Sequence, residues 1–323
     1  MQPTTFEVIY QDHHTLIVNK PADLVIHPTY KHADGTLWDD LLLYLADLPQ
    51  DDWQPPDLPD EPGWELAPAH IRARFQAQRS ERLLQEEGIA PRPSLLHRLD
   101  KDTSGIVALA RTVRSRRHLI RQFYSHTIVK RYLAVVQKAA PVWAQPRTTL
   151  SVTGKRPNGE VYAADVMQDI FTASDDEFIV DGPIGRDPDD RRRCIVLEGG
   201  QESVTSLRVL ATTRDFTLLD VRPVTGRTHQ IRAHLAALGI AIVGDQTYTA
   251  SAPQPQIAAS QQSVLMRQFL HAFSLTLRLY PSNVLRTFIA PLPVDLSGWL
   301  KRFFPAEVMQ ALQTQQSENQ ELQ

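Results

Sequence analysis

Short apolar runs punctuate this chain, and their spacing switches between two periods. Phe6-Glu7-Val8-Ile9-Tyr10 and Thr15-Leu16-Ile17-Val18-Asn19 are β-prone and are joined by a polar turn through Asp12, His13 and His14, which predicts a hairpin. Alternating runs at 127–136, 161–166, 194–197, 204–211 and 216–221 predict further antiparallel strands, and 269–279 with 286–289 read as closing strands. Helical spacing takes over between them. Thr36 caps a helix with Asp39 in the capping-box position; it runs through Leu41, Leu45 and Leu48 and stops at Pro49. Residues 69–87 read as a charged helix ended by Gly88, and 112–124 as a helix with Leu119, Ile120 and Phe123 inward and arginines outward. Gly226 and Thr228 open another helix, carrying Gln230, Ile231, Arg232 and His234, and 299–304 begins a terminal one. Together these elements predict an α+β fold, a mixed, largely antiparallel sheet with flanking helices.

Composition alters that picture at two places. Residues 49–68 are rich in proline and acid with Trp53 and Trp64 embedded, which excludes regular structure there, and the glutamine-rich end beyond Ala311 predicts a frayed terminus. The 323 residues can hold one large domain or two ordinary ones, with no internal repeat. A single cysteine, Cys194, excludes an internal disulfide, suits a reducing cytosol and is expected to be a buried structural thiol. No secretory pattern opens the chain, and no run approaches the roughly 20 apolar residues of a spanning helix, so a cytoplasmic protein away from membranes is expected. The formal charge of −3 argues against indiscriminate nucleic-acid binding. Its distribution says more: acid concentrates in 47–65, whereas Arg111, Arg114, Arg116, Arg117, Arg121, Lys130 and Arg131 form a stripe suited to phosphates.

That stripe follows the densest polar turn of the chain, His97-Arg98-Leu99-Asp100-Lys101-Asp102-Thr103-Ser104-Gly105, set between apolar runs. Charged groups crowded between β-like segments must be solvated, paired or hydrogen-bonded, so such a loop is a candidate site. Asp100 lies between Arg98 and Lys101, and neighbouring cations favour the ionised form that a carboxylate nucleophile or base needs. Asp102-Thr103-Ser104-Gly105 resembles half of an aspartic protease site, whose only candidate partner, Asp295-Leu296-Ser297-Gly298, carries an extra residue. The phosphorylated aspartate of ion-pumping ATPases is a second resemblance, but those pumps cross membranes. His229 and His234 are five apart, off the spacing of paired metal ligands, and no phosphate-cradling or dinucleotide glycine loop is present, so neither metal nor cofactor is expected.

The nonapeptide 97–105 also resembles the signature of the RluA-type pseudouridine synthases. Lys130-Arg131-Tyr132-Leu133-Ala134-Val135-Val136 is similar to the second motif of that family, Gly226-Arg227-Thr228-His229-Gln230-Ile231-Arg232-Ala233-His234-Leu235 to its third and Leu270-His271-Ala272 to its last, in the family's order. Asn19-Lys20-Pro21, Pro183-Ile184-Gly185-Arg186-Asp187 and Gly199-Gly200 match as well, so the resemblance runs from Phe6 to about Pro293.

The resemblance implies isomerisation of uridine to pseudouridine in ribosomal or transfer RNA by one catalytic domain over 1–305. Residues 49–92 would be an insertion and 306–323 a polar tail. The small RNA-binding domain often placed before the catalytic one is expected to be missing. Asp100 would be the catalytic carboxylate, Tyr132 the tyrosine against the uracil, and Arg232 the cation paired with Asp100. Ile231 and Leu270 would touch the base. Arg98, Arg227, His229 and Gln230 would hold the loop or contact RNA, with Arg116 and Arg117 supplying phosphate contacts. Structured RNA is the implied partner, with no obligatory protein partner and a monomeric enzyme. A non-catalytic RNA-binding or ribosome-assembly factor on the same fold is the alternative.

Overall fold

A computed structural model of the chain describes residues 5–28, 34–48, 68–70, 73, 88–137, 146–164, 169, 175–249 and 265–321. The first hairpin forms as the alternation predicts, from β1 (Glu7–Gln11) and β2 (Thr15–Lys20). Its turn is closed by the Asp12 carboxylate, which accepts from the backbone N–H groups of His14 at 2.8 Å and Thr15 at 2.6 Å. Helix α1 (Leu37–Ala46) begins with the capping box expected from Thr36 and Asp39. Of the charged helix predicted over 69–87, residues 69, 70 and 73 are helical, and the rest lies outside the described residues. Strand β3 (Ile89–Leu95) starts inside the stretch assigned to the insertion.

Next comes β4 (Ser104–Thr112), in which every residue is buried. Its two faces feed separate clusters. Ile106, Ala108 and Ala110 pack with Leu119 of α2 (Val113–Tyr124) and with Leu275, Leu277 and Phe288. Val107 and Leu109 pack with Leu37 and Leu41 of α1. A strand covered on both faces must be apolar where both clusters meet it, from Ile106 to Ala110, which is why its sequence lacks strict alternation.

The remaining strands are β5 (Val129–Gln137), β6 (Ser151–Lys155), β7 (Val161–Ala163), β8 (Glu177–Asp181), β9 (Ile184–Arg186), β10 (Cys194–Val196), β11 (Val204–Thr212), β12 (Phe216–Pro223), β13 (Ala241–Ile242), β14 (Leu270–Arg278) and β15 (Leu285–Ile289). The main sheet runs β1-β2-β4-β14-β5-β12-β11-β8-β6-β7, with β3 on β4, β13 on β5 and β15 on β14; β9 and β10 form a separate hairpin. Among the described strands only β4 and β14 pair in parallel, so the sheet is mixed and largely antiparallel, as predicted. That parallel contact is tight. Gly105, at φ 116°, sits against Ala272, and a Cβ there would collide with the Ala272 backbone, so the position accepts only glycine.

Three further helices lie among the described residues: α3 (Gln230–Ala237), α4 (Val294–Phe303) and α5 (Ala306–Glu321). Two expectations are corrected here. The helix predicted to begin at Trp299 begins at Val294 and ends at Phe303. The tail predicted to fray beyond Ala311 continues as helix to Glu321. Met309 and Leu312 are buried in the same cluster as Trp299, Leu300 and Phe304, and Arg131 donates to the Gln315 Oε1 at 2.7 Å. Glutamine, alanine, leucine and methionine are good helix formers, and burial of Met309 and Leu312 anchors the segment as helix. No helix among the described residues is long and apolar enough to cross a membrane.

Candidate active site

The loop joining β3 to β4 is held from three sides. Fully buried Lys20 donates from Nζ to the carbonyls of Pro21 at 2.7 Å, Leu24 at 2.9 Å and Lys101 at 2.9 Å, and burial pushes its ammonium down to about 7. Arg267 donates to the Asp102 carbonyl at 3.1 Å, and Gln268 to the Thr103 hydroxyl at 3.2 Å. Within the loop, the Thr103 N–H donates to the Asp100 carbonyl at 3.1 Å. The loop is therefore a fixed platform, and its Asp100 carboxylate is 18% exposed.

Arg232, on the first turns of α3, donates from Nη1 to Asp100 Oδ2 at 3.0 Å. Its opposite edge is gripped by Asp245, which accepts from Nε at 2.6 Å and Nη2 at 2.9 Å, and its plane lies 5.0 Å over the Tyr248 ring. Asp245 is fully buried and also accepts from the N–H groups of Thr247 and Tyr248. Burial opposes the Arg232 charge, but the bond to Asp245 and the fields of Asp245 and Asp100 outweigh it and hold the guanidinium protonated. The result is a fixed cation against one edge of the Asp100 carboxylate.

His229 precedes α3 with φ 56°, in the left-handed region. The Tyr248 hydroxyl donates to the Cys194 carbonyl at 2.7 Å and accepts from the Cys194 N–H at 2.9 Å. Its one proton is thus committed, and the 3.2 Å contact with His229 Nδ1 requires that nitrogen to donate. His229 Nε2 then carries a lone pair, 3.7 Å from Asp100 Oδ2 and too far to bond. Burial lowers the His229 pKa, over the opposing field of Asp100, and keeps the ring neutral.

These groups open onto a cleft of about 510 Å³, whose walls include Asp100, Tyr132, Ile231, Arg232 and Leu270. The register brings them together: Tyr132 of β5 pairs with Ala272 and Val221, and Leu270 of β14 pairs with Ala134. Burial, and then the Asp100 charge, raise the Tyr132 pKa, so its hydroxyl stays protonated. Arg98 and Arg227 are exposed at the cleft, with Arg227 donating from Nε to the Glu202 carbonyl at 3.2 Å. Gln230 lines the same wall, but its amide is committed to the protein. Oε1 accepts from the Thr225 hydroxyl and the Arg227 N–H, while Nε2 donates to the Val204 carbonyl and the Thr205 hydroxyl. These bonds tie the turn at Thr225 and Arg227 to Val204 and Thr205 of β11.

A smaller cavity of about 350 Å³ meets the first at Arg98, Leu99, Asp100, His229 and Arg232. Arg116 and Arg117 lie outside both, exposed on α2, whose C-terminal residues Phe123 and Tyr124 reach the cleft. Asp295 is bound through both oxygens to Arg267, at 2.7 and 3.1 Å. Burial would raise its pKa, but that bond prevails and holds the carboxyl low, the opposite of a proton-sharing protease dyad. Among the described residues no group of three or more His, Cys, Asp and Glu side chains gathers to hold a metal ion.

Two residues of the site, Asp245 and Tyr248, were not singled out by sequence reasoning, and Lys130 was read only as part of the basic stripe and of the second motif. Lys130 lines the cleft and donates to the Thr225 carbonyl at 2.6 Å; burial, aided by the field of Arg227, pushes its pKa down to about 8. Asp245 follows the apolar run Ile240-Ala241-Ile242-Val243, a signal too common to single it out.

Residues 14–237, more than half of the chain, match the family model described as RNA pseudouridylate synthase. The ribosomal large subunit pseudouridine synthase D of Xylella fastidiosa is 32% identical over 300 residues, covering 91% of this chain and 68% of that protein. The protein of the same name from Nitrosomonas europaea is 30% identical over 295 residues, covering 91% of this chain and 64% of its own length. Among solved structures, human RNA Pseudouridylate Synthase Domain Containing 4 superposes with a TM-score of 0.52 at 20% identity, covering 92% of each chain. Human RNA Pseudouridylate Synthase Domain Containing 1 gives 0.52 at 22% identity, covering 97% of this chain and 98% of that one. The likeness in fold thus extends over nearly the whole chain, the matched family segment contains Asp100, Tyr132 and Arg232, and the chain belongs to the RNA pseudouridine synthase family of enzymes.

Proposed function

We propose that this chain converts uridine to pseudouridine at specific positions of structured RNA, that large-subunit ribosomal RNA is the substrate, and that Asp100 is the catalytic carboxylate. The observation that carries the reading is the chain of contacts Asp245–Arg232–Asp100, whose Arg232 and Asp100 line a cleft shared with Tyr132, Ile231 and Leu270. The reaction breaks the N1–C1′ bond, turns the uracil and joins C5 to C1′; N1 gains a proton and C5 loses one, so no oxidant, metal or phosphate donor enters the balance. An ionised carboxylate serves either route to bond cleavage, attack on C1′ or removal of the C2′ proton. The fixed Arg232 holds the Asp100 carboxylate in place through the 3.0 Å bond to Oδ2.

The target base must leave its helix to reach the cleft. Ile231 and Leu270 offer it apolar contact, and the Tyr132 ring a stacking face; the raised pKa of Tyr132 supports a role as hydrogen-bond donor rather than base. Arg98, Arg227 and Lys130 line the approach of the strand, and the exposed Arg116 and Arg117 on α2 extend the cationic surface. The names of the relatives point to the large ribosomal subunit, and such a substrate has the enzyme working in the cytoplasm. A site built wholly from one chain supports action as a monomer.

The test is incubation of the purified protein with unmodified ribosomal and transfer RNA, followed by carbodiimide adduct formation and primer extension. New stops at a few uridines of large-subunit ribosomal RNA are expected. Stops confined to transfer RNA overturn the substrate, and RNA binding without any stop supports the non-catalytic assembly factor instead.

A further inference from the structure

Tyr124 has no structural reason to be aromatic. It is 82% exposed at the end of α2, and among the described residues its side chain makes neither a hydrogen bond nor a ring contact. Its position is specific: it lines the rim of the active cleft with Phe123, His126 and Lys130.

The turn that presents it is fixed and strained. The Ser125 N–H donates to the Arg121 carbonyl, the His126 N–H to Phe123 and the Thr127 N–H to Gln122, closing the helix. His126 takes φ 53°, a position where glycine is usual and a side chain is strained, and its exposed imidazole also lies along the cleft. Beside it, Phe123 stacks on His97 at 5.3 Å between centroids and 28° between planes, and the His97 Nε2 accepts from the Ala108 N–H at 3.0 Å. Tyr124 is therefore a free ring standing on an immobile base.

We propose that Tyr124 is a base-binding subsite, stacking on the nucleobase adjacent to the target uridine in the RNA strand. The inference rests on the proposed uridine chemistry. A uridine drawn into the cleft leaves its neighbour without a stacking partner, and an exposed aromatic at the rim replaces it. The surroundings fit a strand rather than a protein segment. Lys130 lines the rim and Arg98 and Arg227 the same cleft, so phosphates and a stacking face are served together.

The test is single-turnover pseudouridine formation on an unmodified large-subunit ribosomal RNA transcript over a range of enzyme concentrations, with Tyr124→Ala, Tyr124→Leu and Tyr124→Phe. Because the side chain is 82% exposed and makes no hydrogen bond, these substitutions leave the fold intact. Tyr124→Ala and Tyr124→Leu are expected to raise the half-saturating enzyme concentration about tenfold, the scale of one lost base–aromatic stack, with the maximal rate within about twofold of wild type. Tyr124→Phe restores wild-type behaviour. Wild-type saturation in Tyr124→Ala, or rescue by leucine equal to that by phenylalanine, overturns the subsite. Failure of the wild-type protein to convert any uridine is a different result, and it removes the underlying reading of the reaction.

Discussion

Asp100 keeps its place through two layers of support: Arg232 binds its carboxylate, and Asp245 with Tyr248 fixes Arg232. Asp245→Asn keeps the shape of that support and removes its charge, leaving a buried guanidinium half compensated. Breaking such a pair costs on the order of 3 kcal/mol, to be read as a lower denaturation midpoint in urea. Measured well below the unfolding temperature, maximal turnover should fall at least about tenfold, since each 1.4 kcal/mol of lost carboxylate orientation is a factor of ten. RNA affinity should hardly change, because Asp245 is buried away from the strand. Unaltered turnover in a folded Asp245→Asn protein contradicts the positioning role. Asp100 and Arg232 were legible because each stands in a dense motif. Asp245 was not, because a lone acid after an apolar run says nothing of the arginine it meets thirteen residues earlier.

At the level of elements, local signals were read correctly where the cause is local. The Thr36–Asp39 box starts α1, and Thr112 caps α2 by accepting from the Ser115 N–H. Where the cause is tertiary, the reading failed. The glutamine-rich α5 is a helix because Met309 and Leu312 are buried on the Trp299 and Phe304 cluster. Ending the chain at Pro305 should therefore destabilise the protein by about 3–5 kcal/mol, the burial of two large side chains, measured by urea unfolding. A truncated protein as stable as the full chain would mean that α5 merely rests on the surface. Strands β6, β8, β9 and β13 were also missed; β9 and β13, of three and two residues, are too short to carry a period, and β6, Ser-Val-Thr-Gly-Lys, has one large apolar side chain.

For the whole molecule, the class of fold was legible and the strand order was not. The parallel joint of β4 and β14 unites Ser104 and His271, 167 residues apart, through a 2.9 Å bond that no local pattern announces. That joint also shapes the response to acid. Burial pushes His271 down to about 4 and His97 down to about 3, so both are neutral in the folded state and take up protons on unfolding. Their contribution is fully present above the unfolded value of about 6.5 and is lost as pH falls toward 4. Two such protons give a slope of about 3 kcal/mol per pH unit near pH 5, readable from urea titrations at pH 7, 6 and 5. A flat profile over that range contradicts the neutral, buried state of these rings.

The claim on which everything else depends is that Asp100 does the chemistry of uridine isomerisation. It is tested most directly by mapping pseudouridines in unmodified large-subunit ribosomal RNA after incubation with wild-type protein and with Asp100→Asn, alongside filter binding of the same RNA. The result expected is discrete new stops with wild type, none with Asp100→Asn, and RNA affinities within about threefold of each other, since the substitution removes a carboxylate and no phosphate contact. Normal modification by Asp100→Asn at the same uridines would contradict it and assign the chemistry to another group in the cleft.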